Sequence, residues 1–108
     1  MGNVKYPWWF YVQSMIRNYP ARKRRGYENL NRVEKLEFDA VKAARARTRQ
    51  KEDGRERLEL VRRVYWSREK KTISGIAADL YISRATAFRW GAEFILTVAE
   101  CFGIYDPE

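Results

Sequence analysis

The chain has 108 residues, enough for one domain or one domain with an arm, and 45% of them are hydrophobic and 15% aromatic, which excludes an intrinsically disordered chain. Net charge is +8, concentrated in the first half: residues 1–54 hold 13 Lys/Arg against 6 Asp/Glu, and residues 55–108 hold 9 against 8. There is no histidine and one cysteine, which removes histidine-based acid–base chemistry, the Ser-His triad, His-liganded metals and any internal disulfide.

In chain order, residues 7–19 are the first expected helix. Pro7 suits a first helical position, where its missing N–H is no loss. Trp8, Tyr11, Val12, Met15, Ile16 and Tyr19 share one face at helical spacing. Pro20 is expected to end the helix, because the residue before a proline is pushed out of the helical region. Trp9 and Phe10 fall off that face and need cover, so a dimer contact competes with plain core docking. The run Trp8–Val12 is far shorter than the ~20 apolar residues that span a bilayer, and no membrane partner is expected.

Residues 21–30 read as a loop carrying Arg22, Lys23, Arg24 and Arg25. Four adjacent cations repel one another and gain by meeting phosphates, while a solvated linker is the competing reading. Asn31 and Glu34 then have the spacing of a capping box. The helix they open carries Val33, Leu36, Glu37, Ala40, Val41 and Ala44 inward or close to it. Its tail, residues 42–51, holds five cations and no acid. Arg45, Arg47, Arg49 and Lys51 are therefore phosphate-contact candidates, with stabilisation of a helix C-terminus as the alternative. Asp53-Gly54 marks a break, and Asp53 is the expected cap of a helix over about 55–69. Leu58, Leu60, Val61, Val64 and Tyr65 form its stripe and Trp66 flanks it. Lys70 and Lys71 follow, as two more phosphate-contact candidates. Cys101, among Val98, Ala99 and Phe102, reads as a small buried hydrophobe and suits a reducing cytoplasm.

Residues 72–100 carry the functional argument. Thr72 and, eleven residues on, Ser83 are both good N-caps. A short helix restarted at once by a new cap implies a sharp turn at Tyr81-Ile82, and two helices so joined make a helix-turn-helix. Ala77 must be small where the second helix crosses. Ile82 plugs the turn, and Ile76, Leu80, Ala87 and Trp90 complete an apolar set. Tyr81 stands where glycine is usual. Arg84, Ala85, Phe88 and Arg89 remain on the outer face of the second helix, the face such motifs lay in the major groove. Arg84 and Arg89 can donate to guanine or to phosphates, Thr72, Ser83 and Thr86 to phosphates or base edges, and Ala85 and Phe88 can touch thymine methyls. Phe88 has a second reading, packing on the helix of residues 55–69. The second helix continues through Phe94, Ile95, Val98 and Phe102 until Gly103 stops it.

The stretch from Arg55 to Ile104, with "RVYW" (Arg63–Trp66), "TISGIA" (Thr72–Ala77), "ISRAT" (Ile82–Thr86), "RW" (Arg89-Trp90) and "FILTVA" (Phe94–Ala99), resembles the C-terminal half of phage transcriptional regulators of the RinA/ArpU type, which are similar to region 4 of sigma factors. "MIRNYP" (Met15–Pro20) resembles their N-terminal part. The resemblance implies a phage or prophage activator of late, packaging-related genes, located on nucleoid or phage DNA in a bacterial cytoplasm, and it alone implies RNA polymerase as a second partner.

The expectation is an all-α helical bundle: a basic helical region over 1–54 and a helix-turn-helix over 55–108 that reads double-stranded DNA. No catalytic residue, cofactor or metal is expected, and no catalytic domain fits in the remaining residues. Two other readings stay open. One is a small terminase-like DNA-recognition subunit that assembles as a homo-oligomer. The other is a helical adaptor that binds protein.

Overall fold

The computed structural model describes residues 6–107. Every regular element among them is helical: α1 Trp9–Arg25, a 3₁₀ turn Tyr27–Asn29, α2 Arg32–Arg49, α3 Gly54–Val61 running into five residues of π-helix at Arg62–Trp66, α4 Ile73–Asp79 and α5 Arg84–Phe102.

The first helix does not stop at Pro20. It runs on to Arg25, so the four-cation run is the last turn of a helix rather than a loop. Pro20 lacks the N–H that would bond the Ile16 carbonyl, the usual reason a mid-helix proline breaks the ladder. Here the indole N–H of Trp66 donates to that same carbonyl at 2.7 Å. The orphaned acceptor is satisfied from outside, and a buried polar group left bare is what such a break would otherwise cost. Gly26, at φ 92°, ends the helix instead, in a left-handed region that glycine enters at little cost.

The π-helical stretch explains how Trp66 reaches α1. A wider turn shifts the phase of the side chains that follow it. Tyr65 and Trp66 both pack against the core, while Val64, expected in the stripe, is exposed. Tyr65 accepts from Gln13 Nε2 at 3.1 Å. Ser67 then turns extended, so the helix ends at Trp66 rather than at Glu69.

Asn31 and Glu34 form the expected capping box, with Glu34 N–H to Asn31 Oδ1 at 2.8 Å and Asn31 N–H to Glu34 Oε1 at 3.0 Å. The inward face of α2 is Glu37, Phe38, Ala40, Val41, Ala44 and Thr48. Val33 and Leu36, expected inward, are 56% and 54% exposed. A buried carboxylate replaces them as the contact to α1: Glu37 accepts from the Arg22 guanidinium and from the Tyr11 hydroxyl. Burial and the Glu37 hydrogen bond push the Tyr11 phenol up to about 12, so it keeps its proton and donates.

Asp53 makes no side-chain cap bond. It sits at φ 62° and turns the chain sharply into α3. A Cβ on Gly54 would lie 2.5 Å from the carbonyl oxygens of Thr48 and Arg49, at the end of α2, so only glycine lets the two helices meet so closely. The larger core draws on α1, α2, α3 and α5 through residues such as Val12, Ile16, Val41, Val61 and Val98. It therefore spans residue 54 rather than respecting it.

A second, smaller cluster joins Leu60 of α3 to Ile76, Ala77, Ala87 and Trp90, with Leu80 and Ile82 packed against it. The six positions expected to lock the two C-terminal helices all fall in it. Between α4 and α5 the Ile82 N–H donates to the Ala77 carbonyl at 3.0 Å. Tyr81 adopts φ 59°, the conformation a glycine would take, with its side chain 96% exposed.

Two stability predictions follow from these contacts. Trp66→Phe keeps a ring but removes the indole N–H, and should cost about 1–3 kcal/mol in urea unfolding. In a Pro20→Ala background, where residue 20 regains its N–H, that cost should shrink by about 1 kcal/mol; an unchanged cost in the double-mutant cycle would show that the indole bond is not what offsets the proline. Tyr81→Gly loses no packing and relieves left-handed strain, so it should raise stability by about 0.5–1 kcal/mol and Tm by about 2–8 °C.

Candidate nucleic-acid interface

The two caps organise the exposed end of the α4–α5 pair. Thr72 Oγ1 accepts the Gly75 N–H at 3.1 Å, and Ser83 Oγ accepts the Thr86 N–H at 3.0 Å. The Ser83 hydroxyl donates to Thr86 Oγ1 at 2.8 Å, so both hydroxyls of the α5 start are engaged with each other. Arg84, Ala85 and Arg89 are exposed, and Thr86 and Phe88 are half-buried.

Phe88 belongs to both of its expected surroundings in part. The Arg84 guanidinium lies 5.7 Å from the centre of its ring, a cation–π distance. The ring also walls a half-open apolar cavity of about 180 Å³, with Trp9, Leu60, Val64, Tyr65 and Ile73 opposite. It thus meets the α3 side, and it holds Arg84 in place rather than standing alone on the outer face.

Arg89 lies 4.0 Å from Glu93, at the limit of an ion pair. Glu93 is held more closely by Arg57, at 2.5 Å. Arg57 also sits 5.2 Å above the Trp90 ring. One residue of α3 therefore fixes both the buried anchor of α5 and the acid beside Arg89. Sequence patterning gave Arg57 no role, because nothing local marks a charged residue as a clamp on a tryptophan 33 positions away.

The ten basic residues expected to meet phosphates are not equivalent. Arg22 is turned inward onto Glu37, Arg25 pairs with Glu34 at 3.0 Å, and Arg47 pairs with Glu100 at 3.0 Å. Lys71 pairs with Asp79. The Lys71 hydrogen bond holds the Asp79 carboxyl below its ordinary range, so this pair stays charged on both sides and cancels locally. Arg45 lies over the rings of Tyr19 and Trp66, at 5.5 and 5.7 Å. Lys23, Arg24, Arg49, Lys51 and Lys70 are exposed. Arg55 and Arg62, passed over in the sequence, line a cleft with Arg45 and Arg49. The signal that could have found them is the helical register 55, 59, 62, which puts both arginines on one face around Glu59.

Among the described residues there is no group of His, Cys, Asp or Glu that could hold a metal ion, and no helix is long and apolar enough to cross a membrane. Neither a protein-family model, nor a curated protein, nor a solved structure matches the chain.

Since Phe88 walls a cavity and supports Arg84, Phe88→Ala should lower stability by about 1–3 kcal/mol in thermal or urea melts, less than a fully buried phenylalanine costs. An unchanged melt would place the ring outside the packed structure.

Proposed function

We propose that the chain is a sequence-specific DNA-binding regulator of transcription, with α4 and α5 acting as a helix-turn-helix and the start of α5 lying in the major groove. The observation that carries this reading is the division of α5 along its own length and around its own axis. Ala87 and Trp90 are buried with Ile76, Ala77 and Leu60. Arg84, Ala85 and Arg89 stand exposed at the capped end. A helix that must both pack and read needs that separation. In this reading Arg84 and Arg89 donate to guanine edges or phosphates, Ala85 offers a methyl contact, Phe88 positions Arg84, and the α5 N-terminus with Ser83 and Thr86 meets a phosphate. Thr72 does the same at α4. The exposed cations of the basic surface, such as Lys23, Arg24, Lys51 and Lys70, supply sequence-independent attraction. The chain does its work by binding, with no catalytic step.

The resemblance of "TISGIA" and "ISRAT" to the phage regulators makes late-gene activation the biological role we favour, with RNA polymerase as a second partner. A second reading is a packaging subunit that recognises DNA as a ring, in which Phe10, Val33 and Leu36, each more than half exposed, would be the candidate subunit contacts. Light scattering after size exclusion separates the two, a monomer or dimer favouring the regulator and a ring of many subunits the packaging subunit.

Selection of bound fragments from a random DNA pool at moderate salt should enrich one motif. Arg84→Ala should weaken binding to that motif by about 1–3 kcal/mol and relax preference at one base position, with the melt unchanged. A pool that stays random, or equal loss on all sequences for Arg84→Ala and Arg89→Ala, would defeat base reading by α5.

A further inference from the structure

A basic cleft lies between the end of α2 and α3, with a volume of about 280 Å³. Arg45 and Arg49 line it from α2, Arg55 and Arg62 from α3, and Trp66 lies on its wall. Four guanidinium groups face one carboxylate there, Glu59. Glu59 is committed: Arg62 donates to it twice, at 3.1 and 2.7 Å, and Arg63 once, at 2.9 Å. Those two arginines hold its pKa down at about 2, so it stays an anion and fixes Arg62 in place.

The other three guanidinium groups have capacity left. The Arg49 and Arg55 side chains are exposed and, among the described residues, make no ion pair or hydrogen bond. Arg45 is braced over Tyr19 and Trp66 and donates to the Tyr19 hydroxyl at 3.2 Å, yet its Nε–H is buried without an acceptor. Arg57 Nε is buried in the same way, so what Arg45 offers an anion is the part of its guanidinium that lines the cleft. A neighbouring hollow shares Arg45 and Trp66 and adds Lys23, so the positive potential extends along the α1 side.

The cleft is not the α5 face. The register of α3 turns Leu60 and Arg57 toward α4 and α5 and turns Arg55, Glu59 and Arg62 the other way. None of the residues that line the cleft belongs to α4 or α5.

We propose that this cleft is a second, independent phosphate-binding site, built for phosphate groups that bridge Arg45, Arg49 and Arg55, carried either by a nucleic-acid strand or by a free phosphorylated small molecule. Guanidinium groups around a pocket match phosphate oxygens in geometry as well as charge.

The test is titration of the ¹⁵N-labelled protein with pyrophosphate, following the arginine Nε–H signals. Saturable shifts should centre on Arg45, Arg49 and Arg55. Affinity should fall at least tenfold in the Arg49→Ala/Arg55→Ala variant, whose melt should match the parent. It should be unchanged in Arg84→Ala/Arg89→Ala, so failure of base reading by α5 leaves this site standing. Competition then assigns the source: displacement of pyrophosphate by a random duplex indicates strand phosphates, and displacement by a nucleoside triphosphate alone indicates a free ligand. Shifts that spread without saturation over all exposed cations, or equal affinity in Arg49→Ala/Arg55→Ala, would overturn the proposal.

Discussion

The hydrogen bond from the Trp66 indole to the Ile16 carbonyl ties the end of the α3 segment to the middle of α1. A proline in the middle of α1 frees a carbonyl, and a π-helical turn 46 residues later brings the one donor that fits it. Because that donor is an aromatic ring, the same contact builds a packed surface. Tyr19 lies against Trp66 at 5.6 Å and stacks on Phe38 at 4.8 Å, and Arg45 spans Tyr19 and Trp66. α1, α2 and the end of α3 thus converge on one polar repair. The wall of the basic cleft is a by-product of the repair, since Trp66 and Arg45 form part of it.

Charge is used in two different ways. Arg22, Glu37 and Tyr11 form a part-buried polar group between α1 and α2, where unpaired ionisable groups would be expensive. Their partners therefore have to be correct, which fixes how α1 lies on α2. Arg57 does similar work between α3 and α5, clamping Trp90 and Glu93 together. The remaining cations lie outside these pairs. Among them Arg84 and Arg89 stand exposed on α5, Arg49 and Arg55 line the cleft between α2 and α3, and Lys23, Arg24, Lys51 and Lys70 are exposed elsewhere.

α5 is the element that both uses share. Its C-terminal half, with Phe94, Ile95, Val98 and Ala99, belongs to the large core, and its N-terminal half carries the small cluster around Trp90. It is thus packed along its length, with Arg84 and Arg89 left exposed on its outer side. The half-open cavity beside Phe88 is where that packing is least complete. Gly91 borders it, with open space where a Cβ would stand.

Local chemistry was enough to read much of this from the sequence. The all-helical class, the capping box of α2, the caps at Thr72 and Ser83, the stop at Gly103 and the six-residue apolar set around Ala77 and Trp90 all depend on side chains within a turn or two of each other. What only the tertiary structure decided lies in partners far apart in the chain. Pro20 looked like a terminator because the donor that rescues its helix is 46 residues away. Val33 and Leu36 looked buried because nothing local shows that Glu37 takes the inward place, with Arg22 and Tyr11 to neutralise it. Val64 and Trp66 exchanged roles because a π-turn altered the period on which the stripe was read. The basic residues looked alike in sequence, since charge is local but pairing is not. Caps and periodicity act over neighbouring residues and are written there, whereas the satisfaction of a buried acceptor or charge depends on whichever group the folded chain brings to it.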